Sequence, residues 1–375
     1  MVLLIGNYLL DQQQSMQRFS AMMLEGLAAA GIQAELIEPE PTLGGLKFLG
    51  RLAQKWLGYI DKLILFPRQL HRALMRGPAL VHICDHSNAV YAGQVKRVPV
   101  LVTCHDLLAV RGALGEQTDC PASWTGTFLQ RWILKSLRRA KVIACVSQAT
   151  LTDAQRLLDG GREAPRLELV RNGLNYPYRK LRREDAWALL GKMNGLDPDT
   201  PFVLHVGSNL RRKNRDGVLR IFARGKEQWN GQLVLAGDAL TPELDSLGKE
   251  LGIESRIVGI ANPDSQLLEA LYNCALTLLY PSRFEGFGWP IIEAQACGCP
   301  VICSNAGPLP EVAGDAALTH DVEDESGFAA DVLRLLDPRE RAIWSEKSLR
   351  NAERFGAEKM IAQYVEIYRS LSPQL

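Results

Sequence analysis

Eleven short apolar runs recur along the chain with room for a helix between most of them, and this alternation does most to limit the folds open to it. The first run, VLLIG, is followed by helically spaced apolar residues from about 15 to 30, by Gly31 as a stop, and by a second run, IQAELIEP. Strand, helix and strand in that order make a crossover unit, so its two strands run parallel. Further runs stand at 79–85, 98–106, 140–147 and 167–173. They are nearly continuous in apolar residues rather than alternating, as suits strands covered on both faces.

Residues 174–201 interrupt the series with Asn175, Pro177, the basic cluster RKLRR, Gly195, Pro198 and Pro201. The alternation then restarts with PFVLHVG at 201–207 and continues through QLVLAGD, SRIVGI, ALTLLYPS and PVICSN. A length of 375 residues also exceeds what one hydrophobic core normally serves. The predicted architecture is α/β: two Rossmann-like, doubly wound parallel-sheet domains in tandem, facing a central crevice outside the carboxyl ends of the strands. Expected boundaries are 1–178 for the first domain, 179–200 for a linker, 201–355 for the second domain, and 356–375 for a C-terminal helix able to cross back to the first.

No run of eighteen uncharged apolar residues is present, and no basic stretch precedes the short apolar N-terminus, so the chain is expected in the cytoplasm without a membrane span. Eight cysteines include no CxxC pair, and the Cys297–Gly298–Cys299 to Cys303 grouping lacks histidine partners and zinc spacing, so packing is the favoured reading over metal binding. The net charge of +1 conceals an asymmetry: residues 1–190 carry 24 Lys and Arg against 16 Asp and Glu, and the remainder 19 against 26. The basic half suits an anionic membrane surface or a phosphate-bearing acceptor, while a solvated basic face explains the same count. Within it, residues 47–76 hold seven basic residues and one acidic among Trp56, Leu57, Tyr59, Leu63, Leu65 and Phe66. That segment reads either as a peripheral, anionic-membrane or acceptor-lining helix pair, or as a basic helical face packed on the sheet.

Three stretches carry candidate chemistry. In PSRFEGFGWPIIEAQACGCPV, Glu285 and Glu293 lie eight residues apart across a strand–loop–helix junction. Gly286 and Gly288 leave backbone open to a ligand, and Pro290 suits the first helical turn. Carboxylates accept from sugar hydroxyls, whereas helix-start N–H groups attract phosphate, so the junction suits a sugar linked to phosphate. In FVLHVGSNLRRKN, a strand ends at Gly207 and Ser208, and the loop delivers Arg211, Arg212 and Lys213, a set that suits a diphosphate. In VLVTCHD, His105 and Asp106 close an apolar strand, where a histidine can serve a ligand or simply the core.

Together these stretches resemble glycosyltransferase family 4, a group of retaining enzymes with the GT-B architecture. The spacing of two glutamates in EGFGWPIIE and the continuation AQACGCPV carry the resemblance. It implies that Glu285 contacts donor-sugar hydroxyls, that Glu293 contacts the ribose, and that the backbone of Gly286, Phe287 and Gly288 meets the sugar or diphosphate. It further implies that Arg212 and Lys213 hold the diphosphate beside Gly207 and Ser208, that Gly259 and Ile260 meet the base, and that His105 is the active-site histidine. The expected catalytic set is thus His105, Lys213, Arg212 and Glu285.

Two departures from the family pattern stand out. Ser208 occupies a position where members often carry arginine, which shifts phosphate binding toward Arg211 or Arg212, and DQQQSM replaces a glycine pair after the first strand, placing Gln12 to Ser15 in the acceptor-side loop.

The function implied is metal-independent transfer of a hexose-type sugar, with retention, from a nucleoside-diphosphate sugar to a glycan, glycolipid or small-molecule acceptor, in cell-surface polysaccharide or glycolipid synthesis. Nucleic acid is not an expected partner. A glycoside or nucleotide-sugar hydrolase and an inactive sugar-nucleotide-binding scaffold remain the alternatives. A dehydrogenase is set aside because no G-x-G-x-x-G follows either opening strand.

Overall fold

The computed structural model describes residues 1–11, 13–46, 50–159, 164–191 and 195–375. The chain divides into two compact units, the first made of Met1–Asn175 with Ala357–Leu375 and the second of Tyr176–Gly356. The sequence set 179–200 apart as a linker. In the structure the described residues there belong to the second unit: Arg179 N–H donates to Glu269 Oε1 at 3.0 Å and Leu181 N–H to Asn273 Oδ1 at 2.7 Å. Proline and charge in a stretch signal an irregular path, not whether its backbone is held by a neighbouring helix.

In the first unit six strands, β1 (Val2–Ile5), β2 (Ala34–Ile37), β3 (Leu80–Ile83), β4 (Val100–Cys104), β5 (Val142–Cys145) and β6 (Arg166–Leu169), form one parallel sheet in the order β2-β1-β3-β4-β5-β6. The four interior strands are buried throughout, while β2 and β6 at the edges are only partly covered. The terminal helix Ala357–Leu371 packs on this unit. A Cβ on Gly26 would stand 2.5 Å from Ile361 Cγ1, so glycine there permits close approach of two helices. Beneath the helix, His82 contacts Tyr368 Oη at 2.7 Å and Thr103 Oγ1 at 2.8 Å, and Thr103 in turn contacts Tyr364 Oη at 2.7 Å. Burial pushes the His82 imidazole down to about 3, so this network stays neutral and satisfies its own polar atoms.

In the second unit, β7 (Phe202–Gly207), β8 (Gln232–Gly237), β9 (Ile257–Ala261), β10 (Thr277–Tyr280), β11 (Val301–Ser304) and β12 (Leu318–His320) form a parallel sheet in the order β12-β11-β10-β7-β8-β9. Strand order reverses between β7 and β10, and in the first sheet between β1 and β3. Such points open a gap where consecutive crossovers leave to opposite faces. Strand β12 is the one the sequence did not announce: three residues at a sheet edge, with Thr319 exposed, carry no apolar run. Among the described residues no helix is long and apolar enough to cross a membrane.

Candidate active site

Strands β7 and β10, adjacent in the second sheet, send their carboxyl-end loops to the same spot. After β7, Gly207 faces Gly237 at the end of β8, where a Cβ on Gly237 would lie 2.2 Å from Gly207 O. Only glycine, here at φ 125°, allows two strand ends to approach so closely. Ser208 follows half-buried, and a 3-10 turn over Arg211–Lys213 ends at Asn214 in the left-handed region, φ 56°. Asn214 Nδ2 donates to Pro281 O at 2.9 Å, and Arg283 N–H donates to Arg212 O at 2.7 Å, so one side-chain and one backbone hydrogen bond tie the two loops together.

The tie brings Arg212, Lys213 and Glu285 together. Lys213 Nζ donates to Glu285 Oε1 at 2.6 Å and to Tyr280 Oη at 2.9 Å; Tyr280 donates to the same carboxylate oxygen at 2.7 Å. Arg212 Nη1 donates to Glu285 Oε2 at 2.9 Å and to Phe284 O at 3.2 Å. The Glu285 side chain is 6% exposed. Burial alone would raise its pKa, but Lys213 and then Arg212 outweigh it and pull the carboxyl down to about 2. Two cations on one carboxylate leave an excess of one positive charge at the switch point, suited to an anion. Arg211, at the start of the turn, is exposed.

Glu293 lies inside the helix Trp289–Ala296 and is 4% exposed. Tyr272 Oη, from the neighbouring helix Ser265–Cys274, donates to Glu293 Oε2 at 2.9 Å. The helix begins at Gly288, φ 103°, with Pro290 in its first turn. A Cβ on Gly288 would stand 2.7 Å from Leu309 Cδ2. Both strain and crowding therefore oppose a side chain, and Gly288→Ala is expected to lower stability by roughly 1–3 kcal/mol, read as a lower melting temperature. An unshifted melt would show that the helix start relaxes. Gly286 lies in the loop just before, and Phe287 turns its ring into the core against Trp289 and Phe355, which leaves its backbone to serve a ligand. Gly259 and Ile260 lie near the end of β9, the edge strand, with Gly259 exposed and Ile260 buried.

His105 belongs to the first unit, immediately after β4. Its Nε2 lies 3.0 Å from Cys84 O, and its ring meets Phe19 edge-on at 4.7 Å. Burial lowers its pKa, so the imidazole is neutral at pH 7. Nearby, Asp85 Oδ1 pairs with His86 Nδ1 at 3.0 Å, and Asp85 accepts from Asn7 Nδ2 at 2.7 Å. Asn7 also donates to Gln13 Oε1. Of the loop proposed to line the acceptor side, Gln12 lies outside the described residues, while Ser15 sits exposed in the helix Gln14–Ala29.

Sequence reasoning missed Tyr280, Tyr272 and His205. His205 is buried two residues before Gly207, its Nδ1 2.9 Å from Leu279 O, and burial pushes it down to about 3. The one available signal was a polar-tipped ring within or beside an apolar run, as in LTLLYPS, where a buried hydroxyl must find a partner.

The family described as Glycosyl transferases group 1 matches residues 191–351, and Glycosyltransferase Family 4 matches residues 16–176. O-antigen chain mannosyltransferase B of Escherichia coli is 31% identical over 252 residues, covering 65% of this chain and 64% of that protein. A D-inositol 3-phosphate glycosyltransferase of Saccharomonospora viridis is 30% identical over 308 residues, covering 76% of this chain and 69% of the relative. Across such relatives the chain spans 62 to 71% of their length. In fold, the chain is similar to HepE of Anabaena, solved in complex with UDP and glucose, with a TM-score of 0.75 at 18% identity over 99% of each chain. With both halves matched in order and two parallel-sheet units in tandem, the chain belongs to glycosyltransferase family 4, a family of transferase enzymes with the GT-B fold.

Proposed function

We propose that the protein transfers a hexose-type sugar, with retention of anomeric configuration, from a nucleoside-diphosphate sugar to an acceptor hydroxyl in cell-surface polysaccharide or glycolipid synthesis. The observation that carries this reading is the cluster of Lys213, Arg212, Tyr280 and Glu285 at the switch point between β7 and β10. Glu285, ionised at any physiological pH, accepts from hydroxyls of the donor sugar. Lys213 and Arg212 take the diphosphate beside Gly207 and Ser208. The amides of Gly286, Phe287 and Gly288 complete the cradle, Glu293 binds the ribose, and Gly259 and Ile260 bind the base. The mannosyltransferase name of one relative and the UDP and glucose held by HepE support a hexose and a nucleotide as donor parts.

In the reaction the bond from the anomeric carbon to phosphate oxygen breaks and its electron pair leaves with the nucleoside diphosphate. The acceptor oxygen bonds to the same face of the anomeric carbon, and its proton passes to an oxygen of the departing phosphate. Fixed cations at the leaving group stabilise the charge as it forms, which is the function of Lys213 and Arg212 and the reason no divalent metal is invoked. His105, whose neutral ring gives its Nε2–H to Cys84 O, would meet a hydroxyl of the transferred sugar as an acceptor through Nδ1.

Contact of the first unit with an anionic membrane through residues 47–76 is part of the same reading. Lys47 lies outside the described residues. Of the described ones, Trp56, Leu63 and Ile64 are exposed, whereas Phe66, Leu70 and Ala73 join the core.

The test is a thermal-shift screen of the purified protein, without added metal, against nucleoside diphosphates and their sugars, run beside Glu293→Ala. One base is expected to stabilise the wild type selectively, and the variant is expected to need about tenfold more donor for the same shift. No shift with any donor would overturn the reading, and an unchanged donor constant in Glu293→Ala would remove the ribose role.

A further inference from the structure

The helix Trp124–Leu137 has two apolar faces. One is buried: Ile133 and Leu137 are 2% and 0% exposed and belong to the core of the first unit. The other carries Trp124, 88% exposed, Phe128, 72% exposed, and Trp132, 38% exposed. At about 100° per residue, positions four apart drift slowly around a helix, so these three rings share one stripe, with Arg131 and Lys135 beside them. A surface helix ordinarily turns charged or polar side chains outward, and a row of exposed aromatics on one face marks a surface built to be covered.

What covers it follows from charge. From Cys120 to Thr152, within the basic half of the chain, the sequence holds five basic residues, Arg131, Lys135, Arg138, Arg139 and Lys141, and no acidic one. A second copy docked through this face would oppose those positive charges with the same charges. Tryptophan and phenylalanine flanked by arginine and lysine instead match the boundary between headgroups and acyl chains of an anionic bilayer. Just past the helix, Arg138, Arg139 and Lys141 line a cleft of about 460 Å³ together with Gly93 and Ala164. Arg138 is braced there by Leu157 O at 3.0 Å.

We propose that this helix face and the basic cleft at the helix's C-terminal end form an anionic-phospholipid docking surface. Trp124, Phe128 and Trp132 enter the headgroup–acyl boundary, and Arg138, Arg139 and Lys141 receive the headgroup phosphate. None of these residues belongs to the donor cluster or to 47–76, and the proposal does not depend on either.

The full-length chain is floated with phosphatidylcholine vesicles with and without phosphatidylglycerol, at low salt. Wild type is expected to float with the anionic vesicles only, and tryptophan emission is expected to shift to the blue. Trp124→Ser with Phe128→Ser is expected to lower the bound fraction roughly tenfold or more, since two large apolar side chains no longer leave water. Arg138→Glu with Arg139→Glu is expected to lower the bound fraction to a similar extent, whereas Arg51→Glu with Lys55→Glu leaves the blue shift intact. Trp124 and Phe128 are exposed, so their loss opens no cavity, and an unchanged cooperative thermal melt confirms that the variants are folded. The proposal is overturned if wild type stays unbound to anionic vesicles, if the aromatic variant floats as well as wild type, or if sizing shows a wild-type dimer that the aromatic variant dissolves.

Discussion

Lys213→Ala is expected to lower turnover by roughly a hundredfold or more, the scale on which losing one fixed charge-stabilising group acts. Lys213 is anchored on both sides, by Glu285 Oε1 at 2.6 Å and Tyr280 Oη at 2.9 Å, with its side chain 13% exposed. An ammonium held in place before the reaction needs no reorganisation when charge develops on the leaving diphosphate, which is why its removal should fall on kcat rather than only on donor affinity. Lys213→Arg restores the charge but not the compact head that reaches two oxygens of different side chains, so it should recover only part of the loss. Turnover measured with the donor that the thermal-shift screen selects provides the check. Near-normal kcat in Lys213→Ala would remove this residue from the catalytic cluster.

Glu285→Gln is expected to cost stability in a way that depends on pH. The Glu285 carboxyl sits at about 2 in the folded chain, held below its ordinary value near 4.5 by Lys213 and Arg212 despite burial. A carboxyl with a depressed folded pKa stabilises the fold in full above its unfolded pKa and loses that contribution as pH falls toward the folded one. At about 1.4 kcal/mol for each pKa unit, the contribution at pH 7 is roughly 3 kcal/mol. Urea melts of wild type and variant should therefore differ by about that amount at pH 7, by less than half as much near pH 3, and scarcely at all near pH 2. A difference that stays constant from pH 7 to pH 3 would show that Glu285 is not held ionised by its two cations.

Much of this arrangement is legible in the sequence. Every apolar run read as a strand is one: the interior strands are buried on both faces and must be apolar at consecutive positions, while the partly covered edges β2, β6 and β9 keep enough apolar residues to be read beside them. That Glu285 precedes a helix start and Glu293 lies inside the helix, across a glycine-rich turn, is likewise legible, since a helix start needs residues suited to it. Strand β12 is not, because an edge strand of three residues is defined by its partner β11 and has no pattern of its own. The docking of Arg179 and Leu181 on the second unit is not legible either, since the groups that hold them, Glu269 and Asn273, lie about ninety residues downstream.

By itself the sequence determined the local and the periodic: which segments become strands and helices, where glycine is required, and which ionisable residues stand at strand ends. Tertiary structure alone decided which of those residues meet. Lys213 and Glu285 are 72 positions apart, and they touch only because β7 and β10 became neighbours when the strand order reversed between them. Whether a carboxylate ends as a solvated cap or as a buried, ionised acceptor clamped by two cations depends on burial and neighbours, and those belong to the packed sheet rather than to the spacing of residues along the chain.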